Sequence, residues 1–156
     1  MKIITAYQEF KDFRNSIESV SFVPTMGNLH NGHMALIDKA KSYDSHVVAS
    51  IFINPLQFND ASDFKNYPKS IDDDIAILSE HGCDSLFIPD SSILEDIKEI
   101  KAPDKALYLC GMNRPGHFDG VLTIVNKLFE IIKPSRSFFG KKDFQQLTLI
   151  SNFVKE

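Results

Sequence analysis

The sequence predicts an α/β fold in which parallel strands form a sheet with helices packed on both faces. Short apolar runs alternate with amphipathic stretches, a pattern that parallel strands joined by crossover helices satisfy most simply. The run from His46 to Asn54, HVVASIFIN, is almost continuously apolar and β-branched, as expected of a strand covered on both faces. These observations indicate a Rossmann-like domain, in which ligands bind at the carboxyl ends of the strands.

In the first half of the chain, each element has its own local signal. Thr5 and Gln8 form a capping box that opens a helix after a short strand, and apolar residues then recur at helical spacing. The polar segment 55–70 contains two prolines and is expected to be a loop, with Ser70 and Asp73 capping the helix that follows. The expected strands are 3–4, 20–24 and 46–54, and the expected helices are 6–18, 33–41 and 70–80.

The second half of the chain continues the alternation of strands and helices. Gly82 ends the third helix, Ser91 and Ser92 are expected to cap the fourth, and Pro134 stops a strongly apolar fifth helix. The apolar run ALYLC, 106–110, is expected to form a further strand. The expected strands are 85–89, 106–110 and 136–140, and the expected helices are 93–100, 121–132 and 144–154.

The composition narrows the class of protein. A chain of 156 residues with 43% hydrophobic residues fits one domain, 1–156, with a sizeable core. Its net charge of −4 argues against a nucleic-acid-binding protein and against binding to anionic membranes. The two cysteines, Cys83 and Cys110, do not suit a disulfide framework or a cysteine-rich zinc site, and they fit a cytoplasmic location. Neither a secretory signal nor a membrane span is expected.

The stretch PTMGNLHNGHMAL, 24–36, joins an expected strand to an expected helix. Gly27 and Gly32 let the backbone turn tightly and approach a ligand closely. The helix start directs N–H groups and the positive end of its dipole to the same place, which suits phosphate. His30 and His33 can donate hydrogen bonds to phosphate oxygens as negative charge develops there. The alternatives are capping or surface histidines, or a metal site, although the helical zinc motif has i, i+4 spacing.

Four loops that hold the unusual polar residues are expected to share one rim of the sheet. They are 24–32, 54–69, 111–120 and 140–143. Lys141 and Lys142 add mobile positive charges that suit phosphate or carboxylate. The run IDDD places three acids, 72–74, at a helix start, where acids interact favourably with the dipole. Three acids are more than capping requires.

Five motifs cover nearly the whole chain: FVPTMGNLHNGHMAL, SIFINPLQF, YPKSIDDD, RPGHFDGVLTIVNKLF and FFGKKDFQQL. In this order and spacing they resemble the pantothenate synthetase (pantoate–β-alanine ligase) family of the H-x-G-H nucleotidyltransferase superfamily. The resemblance implies a ligase that uses ATP to adenylate the carboxylate of pantoate, with release of pyrophosphate. The amine of β-alanine then displaces AMP. The resemblance also implies Mg²⁺ with the ATP, and a homodimer.

The resemblance also assigns roles to individual residues. The expected catalytic residues are His30, His33 and Lys142. The residues expected to bind ATP are Met26, His30, His33, Gly140, Lys142 and Asp143. The residues expected to bind pantoate are Asn54, Gln57, Tyr67, Arg114 and Gln146. Asp73 and Asp74 are expected to face Mg²⁺, directly or through water.

Several of these residues also have simpler interpretations. Asn54 and Asp143 could cap the turns that follow them. Gln146 could be a solvated helix residue, and Arg114 could organise its own loop. His117 is expected to be structural, with a hydrogen bond to backbone.

The sequence differs from the family pattern in two minor substitutions and in its length. Asn28 replaces the usual Ala, and Lys69 the usual Arg. Family members continue with a further strand, a serine-arginine motif that closes over ATP, and a C-terminal lid domain that is absent from this chain. The chain alone is therefore expected to be poorly active or inactive. The alternatives are a compact adenylyltransferase, such as phosphopantetheine adenylyltransferase, and a non-catalytic nucleotide-binding or dimerisation domain.

Overall fold

The chain folds around one five-stranded parallel sheet, seen in a computed structural model that describes residues 1–43 and 45–155. Asp44 and Glu156, which belong to the predicted domain 1–156, lie outside the described residues. The strands are β1 (Lys2–Ile4), β2 (Val20–Thr25), β3 (His46–Ile51), β4 (Ser85–Phe87) and β5 (Arg136–Ser137). They lie in the order β1-β4-β3-β2-β5, and every pair is parallel. The predicted α/β class with a Rossmann-like parallel sheet is confirmed.

Helices cover both faces of this sheet. They are α1 (Tyr7–Arg14), α2 (Asn31–Lys41), α3 (Ala61–Lys65), α4 (Ile71–Glu80), α5 (His117–Ile132) and α6 (Phe144–Phe153). Short 3₁₀ turns lie at Pro55–Gln57, Ser91–Leu94, Asp104–Leu107, Leu109–Gly111 and Lys141–Asp143. None of the helices in residues 1–43 and 45–155 has the length and hydropathy needed to cross a membrane.

The core consists of two main apolar layers, one on each side of the sheet. Phe22 of β2 packs in the layer that contains Phe10 of α1 and Leu128 of α5. Val23, the next residue of β2, packs in the opposite layer with Met34 of α2 and side chains of α4. Because successive residues of a strand point to opposite faces, both must be apolar. This explains the continuous apolar runs in the sequence.

The side on which new strands join the sheet changes at β2. Successive strands from β2 to β4 add on one side, and β5 then pairs with β2 on the other side. The loop after β2, 26–30, and the segment after β5, 138–143, therefore flank a crevice at the carboxyl end of β2. A topological switch point of this kind is where open α/β sheets bind ligands.

Two predicted elements in the second half of the chain are wrong. Residues 106–110 form parts of two 3₁₀ turns instead of a strand. Leu109 has a φ of 53°, which no strand allows, and it is 74% exposed. The predicted helix 93–100 is reduced to the turn Ser91–Leu94, and Asp90, not the two serines, caps it through the N–H of Ser92.

Several predicted boundaries and caps also need correction. The Thr5–Gln8 capping box is absent from the described residues, since α1 follows Ala6 without a side-chain cap and Gln8 donates to Asp12 Oδ1 at 3.1 Å. Ser70 precedes α4 without a side-chain hydrogen bond to that helix in the described part of the chain. The predicted loop 55–70 contains α3, helix α5 begins at His117, four residues before the predicted start, and β5 has only two residues.

Close packing at Gly120 gives a testable consequence for stability. A Cβ at this position would lie 2.2 Å from the backbone oxygen of Leu56, so α5 would have to move away from the Pro55–Gln57 turn. We expect Gly120→Ala to lower the free energy of unfolding by about 1–3 kcal/mol, as overpacking usually does. Urea denaturation measures this change.

The matched control is Gly140→Ala, because nothing lies within 4 Å of the Cβ it would add. It should change stability by less than about 0.5 kcal/mol. Equal stabilities of the two variants would show that the turn and α5 do not pack as rigidly as described.

Candidate active site

The loop between β2 and α2 wraps around a buried carboxylate. Gly27 and Asn28 have left-handed backbones, with φ of 82° and 53°. This turn directs two successive amides at Asp74: Asn28 N–H donates to Oδ2 at 2.9 Å, and Leu29 N–H donates to Oδ1 at 2.7 Å. Asp74 is only 2% exposed. A side chain at position 27 would place its Cβ 2.9 Å from Asp74 Oδ2, which explains the glycine.

The two histidines of the H-x-G-H motif cap helix α2 reciprocally. His30 precedes the helix, and its Nδ1 accepts the N–H of Gly32 at 3.0 Å. The Nδ1 of His33 accepts the N–H of His30 at 3.3 Å. A neutral imidazole that accepts at Nδ1 carries its proton on Nε2. Each ring therefore has one nitrogen that stabilises the helix start and an Nε2–H donor left for a ligand.

His33 is held in its neutral form. Burial lowers its pKa below the ordinary value, and the neighbouring His30 lowers it further. The negative charge of Asp74 opposes this shift, while the positive charge of Lys142 adds to it. Lys142 follows β5 and lines the same cavity as Met26, which follows β2, so both sides of the switch point contribute to one site. The site thus presents the Nε2–H donor of a neutral His33 beside a lysine ammonium.

A cavity of about 850 Å³ adjoins this region. Seven of the predicted site residues line it, namely Met26, Gln57, Tyr67, Arg114, Lys142, Asp143 and Gln146. Its apolar walls include Phe58, Phe118 and Leu149. Cations and neutral amides on an apolar wall suit a small anion that also carries hydroxyl groups.

The amide of Gln57 is oriented by Asn54. Asn54 is 1% exposed, and its Nδ2 donates to both Gln57 Oε1 and the carbonyl oxygen of Gly120, at 3.0 Å each. Its Oδ1 accepts the N–H of Leu56 at 3.2 Å. These bonds use both amide hydrogens of Asn54, while its Oδ1 can still accept a further hydrogen bond, so a direct contact with the substrate stays a prediction. Asn54 caps the 3₁₀ turn and positions Gln57, whose Nε2 lies 3.2 Å from the sulfur of Met26.

His117 is buried and Tyr67 is half-buried, and both line the cavity. His117 Nδ1 donates to the backbone oxygen of Gln57 at 2.8 Å, as expected of a structural histidine. Burial lowers the pKa of His117, so the ring is neutral at pH 7 and its Nε2 is an acceptor. Burial, and then the charge of Asp74, raise the pKa of the Tyr67 hydroxyl, so Tyr67 remains a neutral donor.

The segment after β5 supplies exposed charges. Lys142 is 85% exposed, and its Nζ lies 3.6 Å from Asp143 Oδ2. An ion pair this exposed contributes little to stability and leaves both groups free to meet a ligand. Gly140 precedes the 3₁₀ turn Lys141–Asp143 and has open space around its Cα. Arg114 is also exposed at the cavity.

The three acids at the start of α4 differ sharply in their surroundings. Asp72 and Asp73 are exposed, whereas Asp74 is buried and accepts two amide hydrogens. Residues 1–43 and 45–155 contain no group of three His, Cys, Asp or Glu side chains that could hold a metal ion. Both oxygens of Asp74 accept backbone amide hydrogens, and the expectation that Asp73 or Asp74 faces Mg²⁺ stays a prediction. Asp73 keeps a free carboxylate.

Gln145 is a cavity residue that sequence reasoning missed. Its Oε1 accepts the N–H of Cys110 at 3.0 Å, and its Nε2 donates to the carbonyl oxygen of Tyr108 at 2.7 Å. These bonds attach the cavity's outer wall to α6. Gln145 and Gln146 are adjacent and identical in type, so no local signal separates them. Lys105, a third cation on the cavity wall, was also missed.

The described hydrogen bonds predict a specific ionisation state for His33. An NMR titration should give a pKa below the ordinary value of about 6.5, with the proton on Nε2 at pH 7. Because the unfolded chain binds this proton more readily, the free energy of unfolding should fall as the pH decreases below about 6.5. A His33 ring that is charged at pH 7, or protonated on Nδ1 when neutral, would contradict this geometry.

Comparison with solved structures shows which known proteins have a similar fold. A pantoate-beta-alanine ligase from Francisella tularensis, complexed with "Beta-gamma ATP and Beta-alanine", has a TM-score of 0.96 and 44% identity, covering 99% of this chain and 62% of that one. A pantothenate synthetase from Thermus thermophilus has a TM-score of 0.89 and 40% identity, covering 99% and 57%.

The sequence comparisons agree with the structural ones. A bifunctional pantoate ligase/cytidylate kinase of Prochlorococcus marinus (strain MIT 9312) is 49% identical over 97% of this chain and 31% of its own length. A pantothenate synthetase of Shewanella amazonensis is 47% identical over 96% and 55%. The chain thus spans about a third to about half the length of these curated relatives. Residues 2–156 match the family described as pantoate-beta-alanine ligase, and the chain belongs to that family.

Proposed function

We propose that this chain is the ATP- and pantoate-binding domain of an enzyme that condenses pantoate with β-alanine. The observation that carries the proposal is the meeting of two groups of residues at the switch point. The Nε2–H donors of His30 and His33 and the ammonium of Lys142 suit a triphosphate. The adjoining cavity offers the amides of Gln57 and Gln146 for a polyhydroxy acid.

In the first step, an oxygen of the pantoate carboxylate attacks the α-phosphorus of ATP. A P–O bond forms to the carboxylate, and the bond to the pyrophosphate leaving group breaks. The carboxylate is already a nucleophile, so the protein needs no base here. Its task is to position the reactants and to stabilise the charge on the phosphate oxygens. We assign that stabilisation to His30, His33, Lys142 and the N-terminus of α2.

The substrate positions follow from the same arrangement. Gln57 and Gln146 bind the hydroxyl and carboxylate groups of pantoate, because an amide both donates and accepts. Met26 forms part of the apolar wall, while Tyr67 and Arg114 contribute neutral and charged donors. We assign the nucleoside to the β5 side, with Asp143 accepting from the ribose hydroxyls and Gly140 allowing close approach.

In the second step, the amine of β-alanine attacks the carbonyl carbon of the pantoyl adenylate. A C–N bond forms, the C–O bond to AMP breaks, and the amine loses a proton. Mg²⁺ accompanies the ATP in this proposal, and it would neutralise phosphate charge when bound. Asp73 is the candidate ligand, because Mg²⁺ usually takes one or two carboxylates together with phosphates and water.

The proposal also covers the setting in which the chain works. We infer a homodimer, as the family resemblance implies, and sedimentation equilibrium tests it. A cytoplasmic location agrees with two cysteines that are free, one buried and one exposed. Membership of the pantoate-beta-alanine ligase family favours this function over a phosphopantetheine adenylyltransferase. Pyrophosphate release with pantoate, but not with phosphopantetheine, is the expected result.

Titration calorimetry with ATP and Mg²⁺ tests the role of the histidines. We expect His33→Ala to weaken ATP binding by roughly tenfold, the effect of losing a hydrogen bond to a charged group. His81→Ala is the matched control, because His81 is a histidine at the far end of α4 that pairs with Asp38. Equal ATP affinities for His33→Ala and the parent chain would contradict the phosphate role.

Substitution of the two cavity glutamines tests the pantoate site. Gln57→Ala and Gln146→Ala should each weaken pantoate binding by about 0.5–1.5 kcal/mol or more, and ATP binding much less. Gln8→Ala is the matched control, since Gln8 bonds only to Asp12 on the surface of α1 among the described contacts. Equal losses for pantoate and ATP would indicate a general folding defect instead.

A further inference from the structure

We propose that Asp74 is a positioning residue whose carboxylate fills the anion-binding turn of the β2–α2 loop. Because Asp74 occupies the amides of this turn, a ligand phosphate would bind at the N-terminus of α2 instead. The contact between Asp74 and the loop is a property of the chain itself. The position of the phosphate rests on the proposed function.

The geometry of the turn is that of an anion receptor. Successive backbone amides that converge on one point form a concave site for negative charge. Here the amides of Asn28 and Leu29 converge on the two oxygens of Asp74, at 2.9 and 2.7 Å. The receptor is thus occupied by a side chain of the same protein, from an element 45 residues away in sequence.

Burial distinguishes Asp74 from its two acidic neighbours. Asp72 and Asp73 occupy the same first turn of α4 and are exposed to solvent, while Asp74 is 2% exposed. A buried carboxylate needs hydrogen-bond partners, and the two amides provide them. Each Asp74 oxygen accepts one of these hydrogen bonds, so the carboxylate holds the loop through both of its oxygens.

The contact also determines where the histidines lie. Gly27 and Asn28 hold left-handed backbones that extended chain would not adopt unaided, and Asn tolerates this region better than most side chains. The turn they form leads directly into His30, whose backbone N–H is bonded to His33. Releasing the turn should therefore loosen the reciprocal cap and the orientation of both Nε2–H donors.

Hydrogen exchange tests the contact without any ligand. In the parent chain, free of ATP and Mg²⁺, the amides of Asn28 and Leu29 should be protected. In Asp74→Asn, one acceptor becomes an NH₂ donor of the same size, and these amides should exchange roughly 10- to 100-fold faster. Asp72→Asn removes a charge from the same turn and should change neither rate. Unprotected amides in the parent chain, or unchanged rates in Asp74→Asn, would overturn the proposal.

Comparing ATP binding with and without Mg²⁺ separates positioning from metal binding. We expect Asp74→Asn to weaken ATP binding by the same factor in EDTA as in Mg²⁺, because a misplaced loop affects both. A loss seen only with Mg²⁺ would identify Asp74 as a metal ligand and overturn the proposal. If the parent chain binds no ATP, the proposed function fails, and the exchange experiment still decides the role of Asp74.

A second variant guards against a folding defect in Asp74→Asn. Gly27→Ala keeps the carboxylate but would place a Cβ 2.9 Å from Asp74 Oδ2 at a left-handed position. It should accelerate exchange at Asn28 and Leu29 in the same way, while amides in the middle of α5 keep their protection. Unaltered exchange at both amides in Gly27→Ala would contradict the close contact.

Discussion

The two hydrogen bonds from the β2–α2 loop to Asp74 are the contact on which the site depends. They join the loop that follows β2 to α4, the helix that lies in the connection between β3 and β4. Gly27 and Asn28 in this loop have left-handed backbones, and the loop ends at His30, which precedes helix α2. The sheet supplies the rigid platform, and this contact fixes the segment above it that meets the ligand.

The histidines show how one side chain can serve the fold and the site together. Each ring accepts a backbone hydrogen at Nδ1, which satisfies an otherwise unpaired amide at the helix start. The same bond leaves the proton on Nε2, so capping fixes which nitrogen donates. Burial, His30 and the charge of Lys142 together lower the pKa of His33 and keep it uncharged. Capping and ligand binding, which compete as explanations at the level of sequence, are compatible in the structure.

The sequence was sufficient to predict the fold class from its apolar periodicity, and the family motifs were sufficient to predict seven of the residues that line the cavity. The strand predicted at 46–54 is observed at His46–Ile51, and the helix predicted at 121–132 is observed at His117–Ile132. The strand predicted for ALYLC was wrong because Leu107, Tyr108 and Leu109 are 64–74% exposed, and burial cannot be read from hydrophobicity alone. The 111–120 segment still reaches the predicted rim, although a 3₁₀ turn precedes it instead of a strand.

The hydrogen-bond partners of individual side chains could not be predicted from the sequence. Three consecutive aspartates look alike, yet only Asp74 points into the protein, and of two consecutive glutamines Gln145 bonds to the loop at Tyr108. Asn54 similarly supports Gln57, which no local pattern could indicate. These distinctions depend on helix rotation and on contacts between distant segments.

Isotope transfer tests the central claim, attack on the α-phosphorus, most directly. Pantoate labelled with ¹⁸O in its carboxylate is incubated with the protein, ATP, Mg²⁺ and β-alanine, and the nucleotide products are analysed by mass spectrometry. An acyl-adenylate route predicts one ¹⁸O atom from pantoate in the phosphate of AMP. Label in inorganic phosphate with formation of ADP, or AMP free of label, would contradict the account.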